Sequence, residues 1–165
     1  MHFFIPISLL LAVLSATPTL AGQPVQAIWM GTNFNTVSGP GGSGTANHDS
    51  AFRLIDKDGK DIYNSNYPDG YVPCAHVGQE FRLDGGCLKD AVYSFRCSAG
   101  PTGIPKKCEV LNGRRGSLGK GEGDSGVEFF GLGIADGGAC AVSFELADGV
   151  ECGEQGGLTG HHAKY

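Results

Sequence analysis

Four residues along the chain have the side-chain chemistry that phosphodiester cleavage requires. They are His48, Glu80, Arg96 and His161. Such a reaction needs a general base, a general acid and a cation that stabilises the charged phosphate. No local motif surrounds these four, and His161 falls in a stretch that the sequence predicts to be a tail. We therefore interpret the four residues as polar surface residues on strands and predict no catalytic residue. A small extracellular ribonuclease is the alternative.

The order of the four residues resembles the His-Glu-Arg-His order of small fungal guanyl-specific ribonucleases. The tyrosine-rich stretch 63–71 is similar to a loop of that family as well. Tyr63, Tyr67 and Tyr71 also recur every four residues among amide and carboxylate side chains, which is suitable for stacking on sugars. These three tyrosines are candidate binding residues for a cell-wall polysaccharide. The single tryptophan, Trp29, lies in an apolar stretch and is expected in the core.

Basic residues cluster in the second half of a chain whose net charge is −5. Five of them fall within fifteen positions: Lys106, Lys107, Arg114, Arg115 and Lys120. Such a cluster can contact a polyanion such as a pectin-like uronate, a lipid headgroup or nucleic acid. No nucleic-acid-binding motif accompanies it, and the acidic balance argues against a nucleic-acid partner. A solvated loop is the simpler interpretation.

Two other patterns have chemical associations that the sequence does not support. Asp56, Asp58 and Asp61 surround a glycine as in calcium loops, but the downstream glutamate and flanking helices are missing. Two lysines inside that loop oppose a cation, so a hairpin turn is expected. The stretch 123–126 resembles the Gly-Asp-Ser-Gly of chymotrypsin-like proteases, whose chains are far longer. We therefore predict no metal and no cofactor.

The elements that would position these residues are predicted to be short strands. Asp-Gly pairs, which suit tight turns, start at Asp58, Asp69, Asp84, Asp136 and Asp148. Between them lie alternating or β-branched and aromatic runs at 51–55, 61–63, 80–83, 91–97, 127–132 and 141–146. No run has a helical apolar stripe. This pattern predicts an all-β fold, an antiparallel sandwich or barrel.

Two internal segments are predicted to be loops and the C-terminal residues a tail. The first residues of the chain are predicted to be a targeting signal. Residues 38–44 and 112–126 are rich in glycine and are expected to be loops, the second of them long and mobile. Residues 1–21 have the apolar run and small-residue cleavage site of a secretory signal peptide. The prediction is a signal peptide over 1–21 and one secreted domain over 22–165, with a core at about 24–153 and a tail at 154–165.

The chain contains six cysteines, an even number that in a secreted protein indicates disulfides. None of their spacings is typical of a metal site. Sequence alone cannot choose among the many pairings. Nearest-neighbour pairing would close each local turn and is the favoured expectation: Cys74 with Cys87, Cys97 with Cys108, and Cys140 with Cys152.

The order of signal peptide, strand-rich acidic domain and two local cysteine loops resembles the fungal secreted β-barrel family of the Alternaria major allergen and related elicitors. The loops in question are Cys74–Cys87 and Cys140–Cys152. The resemblance implies a non-enzymatic secreted protein that acts on a host or partner protein. We therefore predict an extracellular interaction protein of the small effector or elicitor type. The alternatives are a protein that binds cell-wall carbohydrate and the ribonuclease.

Overall fold

A computed structural model describes residues 22–36, 46–66, 74, 80–100, 104–130 and 133–163. The predicted signal peptide, the predicted loop at 38–44, and Tyr67 and Tyr71 lie outside these residues. The described chain forms one antiparallel sheet with the strand order β3-β2-β1-β8-β7-β6-β5-β4-β9. The strands are β1 Pro24–Thr36, β2 Ala46–Asp56, β3 Asp61–Ser65, β4 Glu80–Asp84, β5 Tyr93–Ala99, β6 Pro105–Asn112, β7 Ser117–Phe130, β8 Gly133–Glu145 and β9 Thr159–His162. The all-β prediction is confirmed.

The sheet curls into a half-barrel because the long strand β7 changes its neighbour midway. Residues 117–122 pair with β6, whereas residues 123–130 pair with β8. The two halves of the sheet therefore face each other and enclose the core. The Phe52 ring of β2 lies 4.4 Å from the Phe81 ring of β4 and 5.1 Å from the Phe95 ring of β5. Trp29 is buried in the same core, as expected.

The prediction of a long mobile loop at 112–126 is wrong, because most of this segment belongs to β7. Its glycines are needed for close backbone approach. A Cβ on Gly119 would lie 2.7 Å from the Ser143 carbonyl oxygen of β8. On Gly121 it would overlap the Ala141 carbonyl oxygen, and on Gly123 the Pro105 carbonyl oxygen. The alternating glycines let β7 cross between β6 and β8.

The predicted C-terminal tail is also part of the sheet. Strand β9 pairs with β4, so it forms one edge of the sheet. The preceding segment reaches the other edge, where the Gln155 N–H donates to the Asp61 carbonyl at 3.0 Å and the Gly156 N–H to the Ile62 carbonyl at 2.9 Å. The Cys87 N–H donates to the Gly156 carbonyl at 2.9 Å. Residues 155–156 therefore link β3 to the chain that follows β4.

All six cysteines form disulfides, but not with their nearest neighbours. The pairs are Cys74–Cys97, Cys87–Cys152 and Cys108–Cys140. Cys97 and Cys108 do lie opposite each other on β5 and β6, yet each bonds to a different cysteine.

Strand geometry explains why the predicted pair Cys140–Cys152 does not form. Cys108 lies opposite Gly121 and Cys140 opposite Gly123, so their disulfide spans β7 along the glycine face. Cys140 lies five residues, about 17 Å of extended chain, before the end of β8. It is therefore far from the turn that precedes Cys152.

Three of the predicted Asp-Gly turns are turns, and one is not. Gly59, Gly85 and Gly149 have φ values of 79°, 77° and 75°, which glycine adopts without steric cost. Asp136 and Gly137 instead lie inside β8, where Gly137 packs against Thr32 of β1. The Asp69 pair lies outside the described residues.

The three disulfides indicate an oxidising or extracellular environment. Among the described residues, no helix is long and apolar enough to cross a bilayer.

Candidate functional site

An open cleft of about 460 Å³ lies between β4, β9 and the turn that joins β6 to β7. Strand alternation builds its floor, because Phe81 and Leu83 enter the core while the residues between and beside them face outward. Arg82 lies directly opposite His161 of β9. The charged and imidazole side chains that line the cleft are Glu80, Arg82, Asp84, Arg115, His161 and His162.

Glu80 is a buried carboxylate that holds an arginine from the neighbouring turn. Its side chain is 2% exposed, and its Oε1 lies 2.7 Å from Nη1 of Arg115, which is 51% exposed. A carboxylate buried this deeply requires a charged partner or strong hydrogen bonds. The buried member of the pair therefore anchors a guanidinium that reaches the cleft.

The turn at 112–116 is shaped by Asn112 so that Arg115 points to Glu80. The Asn112 Oδ1 accepts hydrogen bonds from the Arg114 N–H at 3.0 Å and the Gly116 N–H at 2.9 Å. The Arg115 N–H donates to the Asn112 carbonyl, also at 2.9 Å. Arg115 has a φ of 67°, a left-handed conformation that is uncommon for a residue with a long side chain. The two Asn112 side-chain bonds hold the turn in this form.

Asp84 plays the corresponding role at the other end of the cleft. Its carboxylate lies 3.0 Å from Arg82 Nε and 3.4 Å from His161 Nε2. Arg82 and His161 are each about half exposed. Arg82, Arg115 and His161 are therefore each positioned in the cleft by a carboxylate.

The same outer face carries a row of alternating charges across four strands. Glu80, Arg96, Glu109 and Lys120 follow one another on β4, β5, β6 and β7 in register. Arg96 Nε lies 2.8 Å from Glu109 Oε2, and Lys120 Nζ lies 3.9 Å from Glu109 Oε1. The pKa of Glu109 is lowered, chiefly by a hydrogen bond from the Ser117 side chain and then by Arg96 and Lys120. Arg96 is thus bound to Glu109 and does not line the cleft.

The structure therefore brings together only part of the His-Glu-Arg-His quartet. Glu80 and His161 line one cleft, whereas the backbone of His48 lies in β2, in the other half of the sheet. The side chain of His48 lies outside the described residues. Arg82 and Arg115 supply the cations of the cleft in place of Arg96. The alternation of charged residues at 80, 82 and 84 is the sequence signal that identifies this face.

The five clustered basic residues are spread over the surface and do not form one patch. Lys106 and Lys107 lie at one end of β6, about 17 Å along the strand from the turn that carries Arg114 and Arg115. Lys120 lies beside Glu109. Of the five, Arg115 alone lines the cleft.

Tyr63 lines a separate surface cavity of about 530 Å³ with Asp61, Asn64 and Glu154. Its ring also packs against Phe52, with centroids 6.1 Å apart, so part of the tyrosine belongs to the core. Because Tyr67 and Tyr71 are outside the described residues, the three-tyrosine carbohydrate site stays a prediction.

The acidic stretch at 56–61 is a hairpin turn, as expected. The Asp56 Oδ1 accepts hydrogen bonds from the Asp58 and Lys60 N–H groups, both at 2.9 Å. Asp61 pairs with Arg53 at 2.7 Å. In the part of the chain that the structure describes, no group of three or more histidine, cysteine, aspartate or glutamate side chains is placed to hold a metal ion.

Comparisons of the chain with protein-family models, with curated proteins and with solved structures found no match. The interpretation of the cleft therefore rests on its geometry and charge.

Proposed function

We propose that this chain is a secreted, non-enzymatic interaction protein of the small effector or elicitor type, which binds a host or partner molecule through the cleft. The arrangement of Glu80 and Arg115 carries the proposal. A general base must reach a substrate proton, but the Glu80 carboxylate is 2% exposed and paired with Arg115. Glu80 thus serves to position a cation, which is a binding role.

Secretion is supported by the predicted signal peptide together with the disulfides. Cleavage after Ala21 would release a chain that starts at Gly22, two residues before β1 begins. Intact mass and N-terminal sequencing of the protein from culture medium test this step. A mature protein that begins at Gly22 supports it, whereas retention of residues 1–21 contradicts it.

Kinship with the Alternaria allergen family is part of the proposal, and its support is the all-β fold and the predicted signal peptide. The two cysteine loops in the resemblance are not closed by disulfides, since Cys74 bonds to Cys97 and Cys152 to Cys87. The binding role is therefore argued from the cleft and does not depend on that kinship.

A combined binding and turnover assay tests the function. Purified protein is incubated with chitin, cellulose, pectin, extracellular host proteins and RNA. We expect saturable retention on one of the wall fractions or proteins, with RNA left intact. Retention should fall in Arg115→Gln and be preserved in Arg114→Gln, the adjacent arginine that does not line the cleft.

An extracellular ribonuclease is the second candidate, favoured by one observation. Glu80 and His161 line the same cleft as Arg82 and Arg115, so a carboxylate, an imidazole and two cations are close together. RNA cleavage by the wild-type protein that disappears in Glu80→Gln would support this candidate and overturn the binding role.

A further inference from the structure

We infer that the cleft between β4, β9 and the 112–116 turn binds the carboxylate of an acidic sugar, as in a polyuronate segment. This inference rests on the proposed function and names the ligand class of the same site. Its basis is the pair of arginines, each fixed by a carboxylate of the protein. Arg115 is held by Glu80, and Arg82 by Asp84.

Arginine is the side chain best suited to recognise a carboxylate in this setting. Its planar guanidinium presents five N–H donors and can bond both oxygens of a carboxylate. Asp84 contacts Nε of Arg82, and about half of that side chain is exposed. Because both arginines are already positioned, a ligand would lose less free energy in ordering them.

The charges within the cleft balance, so a ligand there would be recognised by directed hydrogen bonds more than by net attraction. Glu80 and Asp84 together offset Arg82 and Arg115, and the whole chain has a net charge of −5. A phosphate backbone and a polyuronate each carry one negative charge per repeating unit, so charge alone does not choose between them. A uronate places its planar carboxylate on a sugar ring that also carries neutral hydroxyls.

The neutral lining residues suit those hydroxyls. Ser94 of β5 lies directly opposite Arg82, and Asn112 borders the cleft at the turn. The Ser94 hydroxyl can donate and accept hydrogen bonds, and the Asn112 amide nitrogen can donate, since the Asn112 oxygen already holds the turn. The cleft therefore combines groups for a carboxylate with groups for a sugar ring.

Titration calorimetry of the full protein with a short oligogalacturonate tests the inference. Its carboxyl-reduced, neutral counterpart is the ligand control, and a single-stranded RNA of equal charge is the third ligand. We expect binding of the oligogalacturonate alone, weakened about tenfold or more in Arg82→Gln and in Arg115→Gln. Arg114→Gln removes the same charge one residue away and should change the dissociation constant by less than about twofold.

Arg115→Gln leaves the buried Glu80 carboxylate without its arginine and can impair folding. The double variant Glu80→Gln with Arg115→Gln removes both charges and should fold while still binding weakly. Thermal unfolding of each variant checks this. Equal binding of the neutral counterpart, equal losses in Arg114→Gln and Arg115→Gln, or tighter binding of RNA would overturn the inference.

The outcomes also separate this inference from the proposed function. If the oligogalacturonate does not bind but the protein is retained on another wall fraction or on a host protein, the ligand class is wrong and the binding role stands. If RNA is cleaved and Glu80→Gln abolishes cleavage, the binding role itself is wrong.

Discussion

Two outer-face glutamates, Glu80 and Glu109, differ in what their charge accomplishes. Glu80 is buried and directs Arg115 into the cleft. Glu109 is 13% exposed and joins Arg96 and Lys120 across three strands. The first positions a candidate binding residue, and the second contributes to the stability of the sheet.

Glu109→Gln should lower stability in a pH-dependent way. The pKa of Glu109 is lowered in the folded protein by Ser117, Arg96 and Lys120. A lowered folded-state pKa gives stability that is present above the unfolded pKa and is lost as pH falls through the folded pKa. At neutral pH the variant should therefore lose up to about 1 kcal/mol, since the two cations are exposed.

Urea unfolding at pH 7 and at pH 3 measures this effect, with Glu145→Gln as the control. Glu145 is an exposed strand residue, so its replacement removes the same charge from β8. We expect the deficit of Glu109→Gln to shrink at the lower pH. A deficit of equal size at both values would contradict the role of the ionised carboxylate.

Tyr93→Phe isolates one hydrogen bond that fixes the chain after β8. The Ala147 N–H donates to the Tyr93 hydroxyl at 2.7 Å, and burial raises the pKa of that hydroxyl. Phenylalanine keeps the ring contact with Phe144 but removes the acceptor. Denaturant unfolding should show a loss of about 1 kcal/mol. Tyr93→Leu, which also removes the aromatic contact, should lose more stability. Equal stability of the wild type and Tyr93→Phe would show that the hydrogen bond contributes nothing.

Among the elements, β7 determines the shape of the sheet, and its glycines can be tested individually. Gly121→Ala places a methyl group against the Ala141 carbonyl and near the Cys108 sulfur, so it should cost at least 1–3 kcal/mol, roughly the penalty of overpacking. Gly126→Ala lies in the same strand with open space around the new methyl group. It should be neutral or slightly stabilising, because alanine restricts the unfolded chain. Thermal unfolding compares the two, and equal melting temperatures would contradict close packing at Gly121.

The comparison of β7 with β4 shows what sequence can and cannot predict about the elements. The 80–83 strand was predictable because alternation and an adjacent Asp-Gly turn are local signals. The first half of β7 was not predictable, because a run rich in glycine indicates a flexible loop locally. In the fold, the same glycines leave room for the backbone of β8. The sequence does not predict β9 for a similar reason: its four residues, none of which has an apolar side chain, form a strand because β4 offers an unpaired edge.

The candidate site shows the same division. The sequence identifies Glu80 and His161 as chemically capable residues. Arg82 became part of the site because β4 alternation places it beside Glu80, and Arg115 because the Asn112 turn directs it there. Which residues come into contact depends on the pairing of strands that are far apart in sequence. No local sequence pattern gives that pairing.

At the scale of the whole molecule, the two edges of the sheet are tied by the C-terminal segment and by Cys87–Cys152. Residues 155–156 bond to β3, and the disulfide joins the same region to the turn after β4. This disulfide closes the longest loop, with a sequence separation of 65, against 32 for Cys108–Cys140 and 23 for Cys74–Cys97. Longer loops lose more entropy in the unfolded chain when they are closed.

Removal of each disulfide should therefore destabilise the protein in the order of loop length. By the chain-entropy estimate, replacing both cysteines by alanine costs about 4 kcal/mol for Cys87–Cys152 and about 3 kcal/mol for Cys74–Cys97. Guanidinium unfolding of the two double variants gives the order, and a larger loss for Cys74–Cys97 would contradict it.

The pairing itself can be read from peptides under non-reducing conditions. Trypsin leaves Cys140 and Cys152 on one peptide, since no lysine or arginine lies between them, so a glutamate-specific protease must also cut after Glu145. We then expect Cys152 linked to Cys87, and Cys140 linked to Cys108. Peptides that join Cys74 to Cys87 and Cys140 to Cys152 would mean that the local turns are closed after all, and the disulfide across β7 could not exist. Since that disulfide runs along the glycine face, its detection would also support the crossing of β7 that curls the sheet.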